Sequence, residues 1–328
     1  MKIALSELQD LTKKAILKYG YSEDESKIIF DMLMYAQLRG NNQGIIKLIG
    51  RGLPKSKDAK TPTIEKETPT TALINCNQTM EAIAMEQAVK LAVDKAKKMN
   101  IAIVGTHNGS GSSGAIGHWS RKVAEAGLIG ITMSSYPLGS IPPYGSYEPL
   151  FCTNPIAWGI PTKYEPIVLD MASAAMAYYG LLEAKTAGKQ VSANIGLDKN
   201  GNETTDPTEI LEGATKSFDN GFKGAGLALM VQIIGGSLVG ADFNKGNTVN
   251  DGNIVIAINP EGLVGNNFFL NQVMEIKNAM KNAKKLPGVD EIMVPGERGD
   301  RIKEEILKSG EIEVEDNLLS ELKKFVTQ

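Results

Sequence analysis

Apolar residues Leu5, Leu8, Leu11, Ala15 and Ile16 recur three and four positions apart and stop at Gly20, a spacing that places them on one face of an amphipathic helix. A second such face, Ile28, Ile29, Met32, Leu33 and Ala36, follows Ser22 and Glu25, which stand at capping-box spacing, and runs to Gly40. Across residues 54–70 the period disappears into Lys, Pro and Thr of mixed charge, which reads as an exposed crossing between domains with a boundary near residue 70. The pattern then alternates: a helix over 80–99, a strand over 101–105, a Gly/Ser loop, a helix over 115–126 and a strand over 129–134. This alternation predicts an α/β fold.

Further along, residues 137–161 hold six prolines and three glycines, so the backbone there is rigid and irregular, the kind of segment that shapes pockets. A buried strand over 167–170 is expected to run straight into a helix, residues 198–207 form a polar loop, and an apolar, glycine-punctuated helix covers 224–239. No apolar run of about 18 residues stands out as a membrane span.

Composition narrows the function. The chain has 328 residues, enough for about two domains, and a net charge of −3, so no overall field draws it to nucleic acid or an anionic membrane. The start MKIALSELQDLTKK has no uncharged apolar run, and Cys76 and Cys152 lack metal-ligand spacing, which points to a cytoplasmic protein with no metal site. The loop from Asp198 places Glu203 where a calcium loop needs glycine.

Residues 109–114, GSGSSG, match the dinucleotide fingerprint G-x-G-x-x-G, but the next strand ends without the acidic residue that a Rossmann site uses on ribose. The loop reads instead as a pocket lining, with serine hydroxyls and free amides ahead of a helix. His107 and His118, the only histidines, flank it; His107 is the candidate for acid–base work, while His118, beside Trp119 inside a helix, reads as a packing or surface residue.

The stretches LRGNNQGIIKL, SGAIGHW, PYG with TNPIAWGIP, VLDMASA, LDKNGNETTDP, GFKGAGLALMV and VPGE, in this order along nearly the whole chain, resemble the type 2 malate/L-lactate dehydrogenase family. Its members include ureidoglycolate dehydrogenase, 2,3-diketogulonate reductase and piperideine-2-carboxylate reductase. The resemblance implies a homodimeric oxidoreductase that uses NAD or NADP to move hydride to or from C2 of a small 2-oxo or 2-hydroxy carboxylic acid. It also implies a non-Rossmann cofactor domain with a mixed sheet, here residues 72–260, beside a helical, substrate-side domain built from residues 1–71 and 261–328. Carried over by position, the cofactor residues are Asp170, Met171, Ala172, Ser173, Phe222, Lys223, Gly296 and Glu297, and the substrate residues are Lys47, Thr153 and Asn154.

Three positions depart from the family pattern. Gln43 stands where the family has its proton-donating histidine, and Lys47 stands where an arginine grips the substrate carboxylate. The second family histidine falls at Ser112, give or take one position. A glutamine amide donates a hydrogen bond but does not release a proton near neutral pH. The candidate catalytic set is therefore Gln43, Lys47, His107 and Ser112. A reductase of 2-imino acids, whose iminium carbon accepts hydride without a proton donor, and a cofactor-binding sensor without turnover stay open beside the 2-oxo acid reading.

Overall fold

The computed structural model describes residues 1–49, 52–243 and 250–328. Strand β1 (Lys2–Ala4) leads into α1 (Leu5–Lys18), and α2 (Glu23–Gln37) follows. The capping box forms as its spacing dictates, with Glu25 N donating to Ser22 Oγ and Ser22 N donating to Glu25 Oε2 at 2.8 Å. Leu8, Ala15 and Ile16 of α1 and Ile29, Met32 and Leu33 of α2 are fully buried, so both apolar stripes face the core. A single turn, α3 (Ile46–Ile49), comes next.

Part of the segment read as a linker is a strand. β2 (Thr63–Glu67) pairs antiparallel with β3 (Thr71–Asn75), and every β2 residue is exposed. A strand with no buried face carries no alternation, because backbone pairing alone holds it, and its Thr, Lys and Glu composition suits a sheet edge.

The body continues with α4 (Glu81–Met99), β4 (Ile101–His107), α5 (Gly117–Glu125), β5 (Ile129–Ser135), β6 (Ile156–Ile160) and β7 (Ile167–Met171). A small layer follows, made of α6 (Tyr178–Thr186), β8 (Gly196–Leu197), β9 (Glu203–Thr204), α7 (Pro207–Glu212) and β10 (Ala214–Thr215), and packed around Leu181, Val191 and Ile210. Then come α8 (Phe222–Val231), β11 (Gly252–Ile258), α9 (Asn266–Lys281), α10 (Glu297–Ser309), β12 (Glu311–Glu313) and α11 (Asp316–Thr327). The helix expected directly after β7 does not form there; α6 starts only at Tyr178.

The main sheet runs β2-β3-β4-β11-β5-β6-β7, with β3–β4 parallel and its other pairs antiparallel. It is a mixed sheet, unlike the parallel sheet of a Rossmann fold. Helix α5 lies hard against it: a Cβ at Gly159 of β6 would come within 2.1 Å of the Ser120 carbonyl oxygen, so glycine is required for this approach. β1 pairs with β12, and the N-terminal ammonium reaches Val314 O (2.8 Å) and Asp316 (2.6 Å), which ties the two ends of the chain together. One core cluster runs from Leu8 and Ile29 through Ala88, Val104 and Trp119 to Leu322, so the terminal helices and the sheet share a single interior.

α8 continues through a π turn (Gln232–Gly236) and a 3-10 turn (Ser237–Val239), and Phe222–Val239 is long and apolar enough by length and composition to cross a membrane. The sequence reading passed over this run. One face, including Gly224, Ala228, Val231, Gly235 and Val239, is buried, and Val231 packs with Ile131 of β5 and Ile156 of β6, as in a half-buried helix on a sheet.

Candidate active site

A cleft of about 1400 Å³ opens between α3, the 110–115 loop, the end of β7, the start of α6 and the start of α10. Lys47 lies on its floor. Gly44 permits this, since a Cβ there would fall 2.3 Å from Gln37 Oε1, the atom that accepts from Ile45 N at 3.0 Å and turns the chain tightly against the end of α2. Ile45, Ile46 and Leu48 on either side of it are buried too, so this turn lies inside the protein and the lysine is held at the base of the cleft. Its ammonium donates to Ser112 Oγ at 2.9 Å and sits 3.8 Å from the centre of the Tyr179 ring. Burial brings the Lys47 pKa down to about 7, against the opposing pull of Glu81.

Ser112 is held by its loop. Gly111 (φ 79°) and Gly114 (φ 77°) are left-handed, and Gly114 has no room for a side chain because its Cβ would lie 2.3 Å from Met32 Sδ. Gly114 N donates to Ser112 Oγ at 3.0 Å, and Trp119 Nε1 donates to Ser113 O at 2.7 Å. Ser110 N donates to Thr79 O (2.9 Å) and Glu81 N to Ser110 O (3.0 Å), which hooks the loop onto the start of α4. The amides of Ser110 and Gly114 are thus satisfied within the protein and are not offered to a ligand.

Glu81 is the member of this group that the sequence reading missed. It is 3% exposed, and burial raises its carboxyl to about 7, with Asn253, Ser113 and Lys47 pulling the other way. Asn253 Nδ2 donates to its Oε2 at 3.2 Å. A signal was present: Glu81 opens the stripe Met85, Ala88, Ala92 and Ala96, so its spacing alone puts a carboxylate on the apolar face of α4.

Asp170, at the end of β7, accepts from Gly117 N at 2.9 Å. It thereby caps the start of α5. Burial raises its carboxyl to about 6, opposed by that amide.

A family model described as malate/L-lactate dehydrogenase matches residues 3–323. The chain belongs to the malate/L-lactate dehydrogenase family. It is 33% identical to the malate/(S)-sulfolactate dehydrogenase of Methanothermus fervidus, over 100% of this chain and 98% of that one. It is 28% identical to the Δ1-pyrroline-2-carboxylate/Δ1-piperideine-2-carboxylate reductase of Pseudomonas putida, over 99% and 97%. The solved sulfolactate dehydrogenase of Methanocaldococcus jannaschii superposes with a TM-score of 0.84 at 30% identity, covering 100% of this chain and 97% of that one. Membership of the malate/L-lactate dehydrogenase family makes this protein a nicotinamide-dependent dehydrogenase or reductase of small 2-hydroxy and 2-oxo acids.

Within this dehydrogenase, Gln43, Lys47, Ser112 and Thr153 line the cleft, as do Asp170, Met171, Ala172 and Gly296. Other positions carried over from the family do not. Asn154 is fully buried with its amide donating to Ala228 O (2.9 Å) and Gln232 Oε1 (3.1 Å), so it struts the wall from behind and does not orient substrate. Ser173 is likewise buried and donates to Asn154 O at 2.7 Å. Glu297 is engaged by Lys281 (2.7 Å), Arg301 (2.6 Å) and Val294 N (3.0 Å). Phe222 and Lys223 are exposed at the start of α8, outside the cleft wall. His107 points away too, at the end of β4, where its Nε2 meets Glu65 of the edge strand β2 at 2.8 Å. For Asn154, Ser173, Glu297 and His107 the side chain found a partner elsewhere in the protein, while Phe222 and Lys223 face solvent.

The cleft walls suit a nicotinamide dinucleotide. Gly296 comes so close to β7 that a Cβ there would lie 3.0 Å from Val168 O, and next to it Arg298 makes no hydrogen bond or ion pair among the described residues, leaving a cation for phosphate. Asp170, also on this wall, would offer an acceptor to ribose or carboxamide groups.

His118 packs against Tyr35 and Trp119, with ring centroids 5.1 and 4.6 Å away, and its Nε2 has no hydrogen-bond partner among the described residues. Burial, with Lys122, Arg39 and Arg121 adding to it, lowers its pKa from 6.5 to about 3. Between those values the unfolded chain binds a proton that the folded chain excludes, so stability falls as pH drops below 6.5. From pH 7.5 to 5.5 the wild type is expected to lose about 1.4 kcal/mol more than His118→Phe, which keeps an aromatic ring and has nothing to titrate. Urea unfolding at both pH values measures this; parallel losses in the two proteins would refute it.

Proposed function

We propose that the protein reduces a small 2-oxo acid at C2 with NADH or NADPH, as a cytoplasmic homodimer. The observation that carries this reading is the meeting of Lys47 and Ser112 at the floor of a cleft whose far wall is the Asp170–Ala172 and Gly296 pair of segments. When bound, the reduced nicotinamide supplies hydride. Asp170, Met171, Ala172 and Gly296 would hold it, with Arg298 toward its phosphates. The positive charge of Lys47 favours an anionic substrate, and Gln43 and Thr153 offer neutral hydrogen bonds that orient it. A homodimer is supported by the outer face of the α8 rod, where Phe222 and Leu238 are each 66% exposed and Met230 and Ile233 nearly half exposed. The free thiols Cys76 and Cys152 suit a reducing compartment.

A second reading is favoured by one observation: neither histidine reaches the cleft. A 2-imino acid, already protonated on nitrogen, takes hydride without an acid, and a hydrogen-bonding Gln43 suffices for it.

The test has two parts. Tryptophan fluorescence quenching with NADH and with NADPH reads cofactor binding and preference, and initial rates over 2-oxo acids and cyclic 2-imino acids read the substrate class. Turnover confined to imino acids selects the second reading. Binding without turnover on either leaves a cofactor sensor, and absence of binding to both nucleotides overturns the proposal.

A further inference from the structure

The hydroxyl of Ser112 is oriented by its neighbours. A serine oxygen has two lone pairs and one hydrogen. Here Lys47 Nζ donates to it at 2.9 Å and Gly114 N at 3.0 Å, so both lone pairs are occupied. Its hydrogen has no acceptor among the described residues, and the side chain lines the cleft. Ser112 is therefore set as a donor toward whatever occupies the cleft. Behind it Lys47 and Glu81 keep only 2% and 3% of their surface. Substrate thus meets the serine first and the lysine through it.

We propose that Ser112 delivers the proton to the oxygen on C2, that Lys47 refills Ser112, and that the Glu81 carboxylate supports the charge of Lys47. This relay would replace the imidazole that the chain lacks in its cleft. It rests on the reductase reading for its chemistry. As hydride from a reduced nicotinamide reaches C2, the carbonyl π pair moves onto oxygen. That oxygen takes the Ser112 hydrogen, Ser112 takes one from the Lys47 ammonium, and the neutral amine left behind regains a proton from water. One hydride and one proton are added, giving the 2-hydroxy acid. In the oxidising direction neutral Lys47 accepts the proton along the same path.

The groups that face Lys47 are Glu81 of α4, the Tyr179 ring of α6 and Ser112 of the loop. The thiols of Cys76 and Cys152 are influenced by Glu81, and burial pushes both up, Cys76 to about 12, so they stay neutral near pH 7. Because reduction needs the ammonium, its rate should fall as pH rises through about 7. Removing the negative charge with Glu81→Gln should move that fall to lower pH.

The experiment combines kinetics with a measurement on the protein free of cofactor. Ser112→Ala and Lys47→Met should each slow 2-oxo acid reduction by roughly 100- to 10,000-fold, the usual worth of a general acid, with NAD(P)H binding unchanged. The double variant should be no slower than the worse single one, since members of one relay fail together. Ser112→Thr, which keeps the hydroxyl, should recover activity. In lysine-labelled apoprotein followed by ¹⁵N NMR, the Lys47 nitrogen should titrate well below the ordinary 10.5 and move lower still in Glu81→Gln. Ser112→Ala at near wild-type rate, or Lys47 titrating at its ordinary value, overturns the relay. If the wild type reduces no 2-oxo acid, the reductase reading fails by itself, and the apoprotein titration still decides whether Glu81 and Lys47 are coupled as proposed.

Discussion

Asp300→Ala is expected to destabilise the fold by about 3–5 kcal/mol, the cost of stripping one partner from a buried charge cluster. Asp300, at the start of α10, accepts from Arg39 Nε (3.2 Å) and Nη2 (3.0 Å) and from Arg121 Nη1 with both oxygens (3.1 Å each). The side chains of Arg39, Arg121 and Asp300 are 11%, 7% and 17% exposed, so solvent screens them little. Without the carboxylate, two guanidinium groups face each other with less compensation. Arg121 keeps Glu125 and Glu165, both largely in solvent, while Arg39 keeps the Tyr35 ring and the Tyr35 carbonyl. The cluster joins the end of α2, the middle of α5 and the first turn of α10, and all three residues border the cleft, so loosening it should also weaken cofactor binding at Gly296. Urea unfolding of wild type and variant gives the first number and NAD(P)H titration the second. A loss below about 1 kcal/mol, typical of surface ion pairs, would mean the cluster behaves as exposed.

Trp119→Ala should cost a similar amount, about 3–5 kcal/mol, for a cavity in place of an indole. Trp119 is fully buried in the main core, and its Nε1 holds Ser113 O at 2.7 Å. Trp119→Phe separates the two roles. It fills most of the space but leaves the Ser113 carbonyl without its donor, at about 1–3 kcal/mol, next to the residue proposed to deliver the proton. Reduction by Trp119→Phe should therefore fall further than its stability loss explains under conditions where it stays folded. Equal kcat in Trp119→Phe and wild type would show that the loop holds Ser112 without the indole.

What the sequence made legible was local. The α1 and α2 stripes and the Ser22–Glu25 capping box depend on residues within a turn or two of each other, and they formed as their spacing required. The family motifs located the cleft walls because whole segments carry over. Individual side chains did not follow so simply. Whether Asn154 faces a substrate or props α8 depends on Ala228 and Gln232, far along the chain, and whether Glu297 faces a cofactor depends on Lys281 and Arg301. Asp170 holds the first amide of a helix that lies earlier in the chain, a contact its own neighbours in sequence do not announce. β2 escaped because it has no apolar face, and Glu81 because one of three acids in an alanine-rich helix looks like solubility until the fold turns that face inward.

β11 lies at the centre of the sheet yet is translated after all the other strands of that sheet, and it alone joins β4 to β5. Until the ribosome has released Gly252–Ile258, the nascent chain holds two half-sheets, each with an unpaired edge next to apolar residues such as Val104 and Ile131. Such edges invite pairing with other chains, and closing so long a loop is slow. A chain that stops before residue 252 should therefore aggregate instead of folding as a shorter domain, and production of the intact protein should depend on holding those edges apart from neighbours until the last central strand emerges.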